Sequence, residues 1–155
     1  MLYFAYGSNM DIAQLKDCCP STTFRCKAKL AGYKLKFTRF STNNNCGAAD
    51  VVKVPRRVVW GVVFKINDDE RTKLNEKEGY EPGRAKNAYS PVKVDVYEDG
   101  DVSRVLKVTT YTVCNKLDAH QRPSKKYLGY LISGAKDAKL PAKYRKQIAA
   151  FETLP

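Results

Sequence analysis

Val58-Val59-Trp60-Gly61-Val62-Val63-Phe64-Lys65-Ile66 runs almost without polar interruption. A strand with one wet face alternates apolar and polar residues, so a nearly continuous apolar run predicts a strand covered on both faces, or the wall of a closed barrel. Pro55-Arg56-Arg57 separates this run from a second strand-like stretch, Ala48 to Val54. Further upstream, Thr22 to Thr38 interleaves Leu30, Tyr33, Leu35 and Phe37 with Lys34 and Lys36, the alternation of a half-buried strand. The polar, Asn-rich segment Ser41 to Gly47 reads as the loop between them.

Outward from this centre, Leu2 to Tyr6 is a short apolar run ending at Gly7, which predicts a buried strand delivering a glycine-containing turn. Asp11 then caps a short helix with Ile12 and Leu15 facing inward. On the other side, Asn67 with Glu70 reads as a capping pair for a helix through Leu74, which Gly79 ends in a left-handed turn. Tyr89 to Tyr97 alternates cleanly, and Glu98-Asp99-Gly100-Asp101 turns it into Arg104 to Val113. Ser124 caps a helix carrying Tyr127, Tyr130, Leu131 and Gly134, and Leu140-Pro141 opens another with Tyr144, Ile148 and Phe151. The expectation is an α+β fold: a small mixed β-barrel or sheet with short helices and two C-terminal helices, residues 1–155 forming one domain.

Composition narrows the chemistry. With 155 residues and 43% hydrophobic content, the chain suffices for one core. The apolar start has no basic segment before it, and no stretch nears the roughly 20 apolar residues of a membrane span, so a cytoplasmic protein is expected. The five cysteines have no CxxC spacing and His120 is the single histidine, which argues against a disulfide framework and a metal site. No cofactor is expected, and proton work falls to a carboxylate. The net charge of +12, from 28 Lys+Arg against 16 Asp+Glu, is spread along the chain without a basic arm. A solvated basic surface accounts for it, and nucleic acid is not the expected partner, although folding could still assemble a basic patch.

Three features stand out together: Tyr6-Gly7-Ser8-Asn9 after the first strand, Glu76-Lys77-Glu78-Gly79 at a helix end, and Tyr127 through Gly134-Ala135 in the late helix. Singly, each has a structural explanation as a turn, a surface helix terminus and an aromatic core stripe. Their order and spacing resemble the γ-glutamylcyclotransferase-like family, which includes AIG2-like and BtrG-like enzymes. Tyr3-Phe4-Ala5-Tyr6-Gly7-Ser8-Asn9-Met10 is similar to its YGSN substrate loop, Trp60-Gly61-Val62-Val63-Phe64 to its central strand, and Leu74-Asn75-Glu76-Lys77-Glu78-Gly79-Tyr80 to the segment carrying its catalytic glutamate. Thr110-Tyr111, Pro123 to Tyr127 and Tyr130 to Ala135 resemble later pocket elements, so the likeness spans nearly the whole chain.

The resemblance implies cleavage of a γ-glutamyl amide by its own α-amine, releasing 5-oxoproline and an amine or amino acid, with Glu78 as catalytic acid/base. Physical need agrees. Holding the amine against the δ-carbonyl supplies much of the rate, and one carboxyl can act as base and then acid if its pKa is raised toward neutrality. The expected helix C-terminus and partial burial both push Glu78 that way, while Glu76 points elsewhere. Backbone N–H groups of Gly7, Ser8, Asn9 and Met10 form a nest for a carboxylate or oxyanion, Gly7 permitting close approach. By resemblance, Tyr6 lines the pocket floor, and Tyr111 and Tyr127 supply phenolic hydrogen bonds; Tyr127 also fits a core role.

The leaving group stays open: γ-glutamyl amino acids and dipeptides, γ-glutamylamines, or a biosynthetic intermediate. The YGSN form leans away from γ-glutamylamines, and glutathione-specific enzymes have another pattern. Two other readings also stand: a non-catalytic basic binding module for an acidic partner or nucleic acid, and an enzyme of the family acting on a different amide or isopeptide. Monomer or homodimer is expected.

Overall fold

The computed structural model describes residues 1–155. Five strands form a closed barrel in the order β1-β3-β2-β4-β5: β1 Leu2–Ala5, β2 Thr23–Ser41, β3 Cys46–Lys65, β4 Tyr89–Glu98 and β5 Val105–Val113. β1 pairs antiparallel with β3, Tyr3 opposite Phe64, and meets β5 in parallel at Tyr3 and Thr109. The apolar run that opened the sequence is therefore barrel wall. Val59, Val62, Val63, Phe64 and Ile66 are all buried in a core cluster of 32 residues. Gly61 is needed there because a Cβ would stand 2.4 Å from the carbonyl oxygen of Ala5 on the neighbouring strand.

The separation expected at Pro55-Arg56-Arg57 takes another form. β3 is continuous through it, but the β2 register jumps from Ala31↔Val58 to Tyr33↔Lys53, leaving Val54 to Arg57 opposite Gly32 alone. Proline lacks the N–H a ladder needs, and Arg56 and Gly32 both hold positive φ, so the chain bulges instead of ending the strand. The hairpin connection is also tighter than Ser41 to Gly47, since β2 ends at Ser41 and β3 begins at Cys46.

Four helices complete the fold: α1 Ile12–Lys16, α2 Arg71–Lys77, α3 Lys125–Asp137 and α4 Ala142–Ala149. Asp11 caps α1 by accepting from the Ala13 N–H at 3.0 Å, and Ser124 caps α3 by accepting from Tyr127 N–H at 3.0 Å. α3 closes onto the turn after β1; a Cβ on Gly134 would lie 2.3 Å from the Met10 carbonyl carbon. The capping pair expected at Asn67 and Glu70 does not form. The Asn67 side chain makes no cap bond, and the Glu70 carboxylate instead accepts from the N–H and hydroxyl of Ser21. A tertiary partner with two donors outcompetes the local one. No helix is long and apolar enough to cross a membrane.

Candidate active site

Glu78 caps the C-terminus of α2 and its backbone leaves little freedom. Gly79 at φ +65 donates its N–H to the Glu76 carbonyl, and Tyr80 donates to Asn75 O at 2.9 Å, the paired bonds of a Schellman turn. Glu78 itself donates to Leu74 O at 3.0 Å. The two side chains before Glu78 point outward, as Glu76 and Lys77 are exposed, and Lys77 Nζ is tied to the Gln14 carbonyl at 2.6 Å. The Glu78 carboxyl turns the opposite way, into the barrel end.

There it meets the turn after β1. Asn9 Nδ2 donates to Glu78 Oε1 at 3.0 Å and to the Tyr3 hydroxyl oxygen at 3.0 Å, while the Tyr3 O–H lies 3.4 Å from the same Oε1. Burial raises Glu78 from the usual 4.5 to about 7; the Lys77 charge and the bonds from Tyr3 and Asn9 pull down without cancelling it. Glu78 as a residue keeps some exposed surface, but its carboxyl end is enclosed, so desolvation governs the shift.

Tyrosines wall the rest. Tyr6 donates to the Tyr111 carbonyl at 2.5 Å, and the Tyr111 hydroxyl donates to Asn75 Oδ1 at 2.5 Å, linking β5 to α2 beneath Glu78. Ala49 on β3 holds two more. Its N–H donates to the Tyr127 hydroxyl oxygen at 3.1 Å, and its carbonyl accepts from the Tyr89 hydroxyl at 2.7 Å. Burial pushes Tyr127 up to about 12 against the Ala49 N–H and Ser8 hydroxyl, and raises Tyr3, Tyr6, Tyr89 and Tyr111 well above the ordinary value, so all five are neutral hydrogen-bonding groups at physiological pH.

These side chains enclose a small cavity of about 30 Å³ with Glu78 as its single carboxyl. It adjoins a vestibule of about 300 Å³, which shares Ser8, Asn9, Glu78, Tyr89 and Tyr127 with it. The structure thus brings together Glu78, Tyr6, Gly7, Ser8, Asn9, Tyr111 and Tyr127. It does not bring Met10: that N–H is taken by the Gly7 carbonyl at 3.0 Å, and the side chain, 3% exposed, packs beneath α3 away from the cavity. A Cβ on Gly7 would stand 3.1 Å from Ala49 Cβ and 3.8 Å from the Tyr127 oxygen, so its lack of a side chain keeps the cavity open. Tyr3, Asn75, Ala49 and Tyr89 were not anticipated as site residues. Tyr3 lies within the quoted first strand, and its polar tip in an otherwise apolar run was the available signal.

This arrangement can be set beside known proteins. Residues 58–148 match the AIG2-like family. γ-Glutamylcyclotransferase of Homo sapiens is 33% identical over 155 residues, covering 97% of this chain and 78% of that protein, and the Mus musculus enzyme is 32% identical with the same coverage. A solved structure of γ-glutamyl cyclotransferase superposes with a TM-score of 0.88 at 31% identity, covering 99% of this chain and 89% of that one. The likeness covers nearly all of this chain and most of each relative, in sequence and in fold, and the chain accordingly belongs to the γ-glutamylcyclotransferase enzymes of the AIG2-like family.

Proposed function

We propose that this enzyme cleaves γ-glutamyl amides by attack of the substrate's α-amine on its own δ-carbonyl, with Glu78 as general acid/base, releasing 5-oxoproline and an amine or amino acid. The observation that carries this reading is the enclosed Glu78 carboxyl, alone of its kind in the cavity and raised to about 7. A proton-transfer group is most effective when its pKa lies near the working pH.

Two protons leave the α-nitrogen on the way to the lactam, and two arrive at the departing nitrogen. A carboxyl alternating between base and acid keeps that balance with no net change. Asn9 Oδ1 is buried without a partner in the chain, which leaves it free to accept from the substrate's ammonium beside Glu78. Gly7, Ser8 and Asn9 supply backbone N–H groups where charge develops on the carbonyl oxygen; the Met10 N–H is already engaged and has no part in this. Closing a five-membered ring within one molecule supplies the proximity term, so no nucleophile from the protein is required.

The test follows 5-oxoproline by mass spectrometry from a panel of γ-glutamyl dipeptides and γ-glutamylamines with wild type and Glu78→Gln. The substitution keeps size and hydrogen bonding while removing proton transfer. Its expected effect is a loss of about 10²–10⁴ in kcat. Equal turnover by both proteins would remove Glu78 from the mechanism.

A further inference from the structure

The vestibule outside the catalytic cavity carries mixed charge. Glu76 stands exposed at its rim, and Lys77 is there with its ammonium already bonded to the Gln14 carbonyl. Arg39 is different. It sits on β2 opposite Ala48, the neighbour of the Ala49 that anchors Tyr89 and Tyr127, and its side chain is half-buried in the vestibule wall. It has no acidic partner among the ion pairs of the chain, and its guanidinium makes no hydrogen bond within it. Five N–H donors in a fixed fork are thus left unused in a partly desolvated wall, where a guanidinium normally finds a carboxylate or phosphate. Its charge is felt at Tyr89, which stands where the cavity and the vestibule join.

The inner cavity is too small for more than the reacting end of a substrate, so the departing amine extends into the vestibule. An amino acid leaving group carries a carboxylate on the carbon bonded to that nitrogen; a simple amine carries nothing there. We propose that Arg39 binds this carboxylate and is the residue that favours γ-glutamyl amino acids over γ-glutamylamines. The assignment rests on the cyclotransferase reading above and adds to it a specificity element in the outer half of the hairpin.

The experiment compares kcat/KM for γ-glutamyl-L-alanine and γ-glutamylethylamide, by 5-oxoproline release, in wild type, Arg39→Gln and Arg39→Lys. Losing a charge-assisted bidentate pair lowers the alanine-to-ethylamide ratio by about 10- to 100-fold in Arg39→Gln. Arg39→Lys falls between, since it keeps the charge and loses the fork. A ratio that moves less than about twofold in an active enzyme overturns the Arg39 assignment and leaves the cyclisation reading standing. If wild type releases no 5-oxoproline from either compound, the cyclisation reading fails, and calorimetry with N-glutaryl-L-alanine and N-glutarylethylamine, which lack the attacking amine, decides on Arg39 separately. Preference for the carboxylate ligand that disappears in Arg39→Gln upholds the assignment; equal binding of the two ligands, or none, overturns it.

Discussion

Asn9 Nδ2 donates to Glu78 Oε1 at 3.0 Å across 69 residues of sequence. The bond joins the turn after β1 to the end of α2 and favours the ionised carboxylate. Asn9→Ala removes that donor, so the Glu78 pKa rises above about 7 and the ascending limb of kcat/KM moves alkaline by about one unit. Asn9→Asp places a second acid against Glu78 and moves it further. A pH–rate profile checks both, and an unmoved limb would mean that Asn9 does not tune the acid/base.

Glu78 costs stability in proportion to its usefulness. Its folded pKa of about 7 exceeds the usual 4.5, so the folded state holds the proton more tightly than the unfolded one. The associated stability is fully present below about 4.5 and is lost as pH rises through about 7, by about 3 kcal/mol. Glu78→Gln has no such dependence. Melting curves of the two proteins should coincide near pH 4 and separate above pH 7 with the variant more stable. Parallel curves at every pH would show that the carboxyl is not enclosed.

Asp50 is fully buried and accepts from Thr38 Oγ1 at 2.8 Å, Val113 N–H at 3.0 Å and Lys116 Nζ at 2.7 Å. Asp50→Ala strands the buried Thr38 and Val113 donors, whereas Lys116, 38% exposed, can turn to water. The expected loss is about 3 kcal/mol in denaturant unfolding, with Asp50→Asn intermediate because it keeps one acceptor.

Gly79→Ala combines a left-handed backbone with a Cβ 2.8 Å from Ala88 Cβ. A destabilisation of about 1–3 kcal/mol is expected, and a fall in kcat of at least about tenfold because Glu78 is the adjoining residue. Thermal unfolding and single-turnover rates on the same protein measure the two effects together.

The barrel wall and helix caps were legible because they depend on local pattern: the apolar run from Val58, Asp11 ahead of α1, Ser124 ahead of α3. Glu78, Tyr6 and Tyr111 were reached through the resemblance and through the chemistry a cyclisation needs. What stayed hidden depends on partners distant in the chain. Tyr89 reads as the first residue of a strand until Ala49 stands opposite its hydroxyl. Asn75 reads as a helix surface residue until Tyr111 reaches it. The segment Cys114 to Arg122 carries no pattern of its own, yet it lies over β2 and β3, with Leu117 N–H on Thr38 O, Gln121 N–H on Phe37 O and Lys116 on Asp50. Glu70 misled for the same reason: its local motif lost to Ser21.

The bulge at Val54 to Arg57 divides one hairpin into two working parts. The inner part, paired from Thr23 to Ala31, closes the barrel on which Tyr3 and Asn9 depend; the outer part, paired from Tyr33 to Ser41, carries Arg39 and ends in a turn whose Asn43 and Asn44 line the vestibule. A break in the ladder lets the tip of the outer part, residues 42–45, lengthen or change without shifting the register of the inner one, while Ala49 ties the base of the outer part to Tyr89 and Tyr127 of the cavity. The tip is therefore the part of the hairpin that varies apart from the cavity, and a lineage that altered only those residues would reshape the vestibule while inheriting the enclosed glutamate intact.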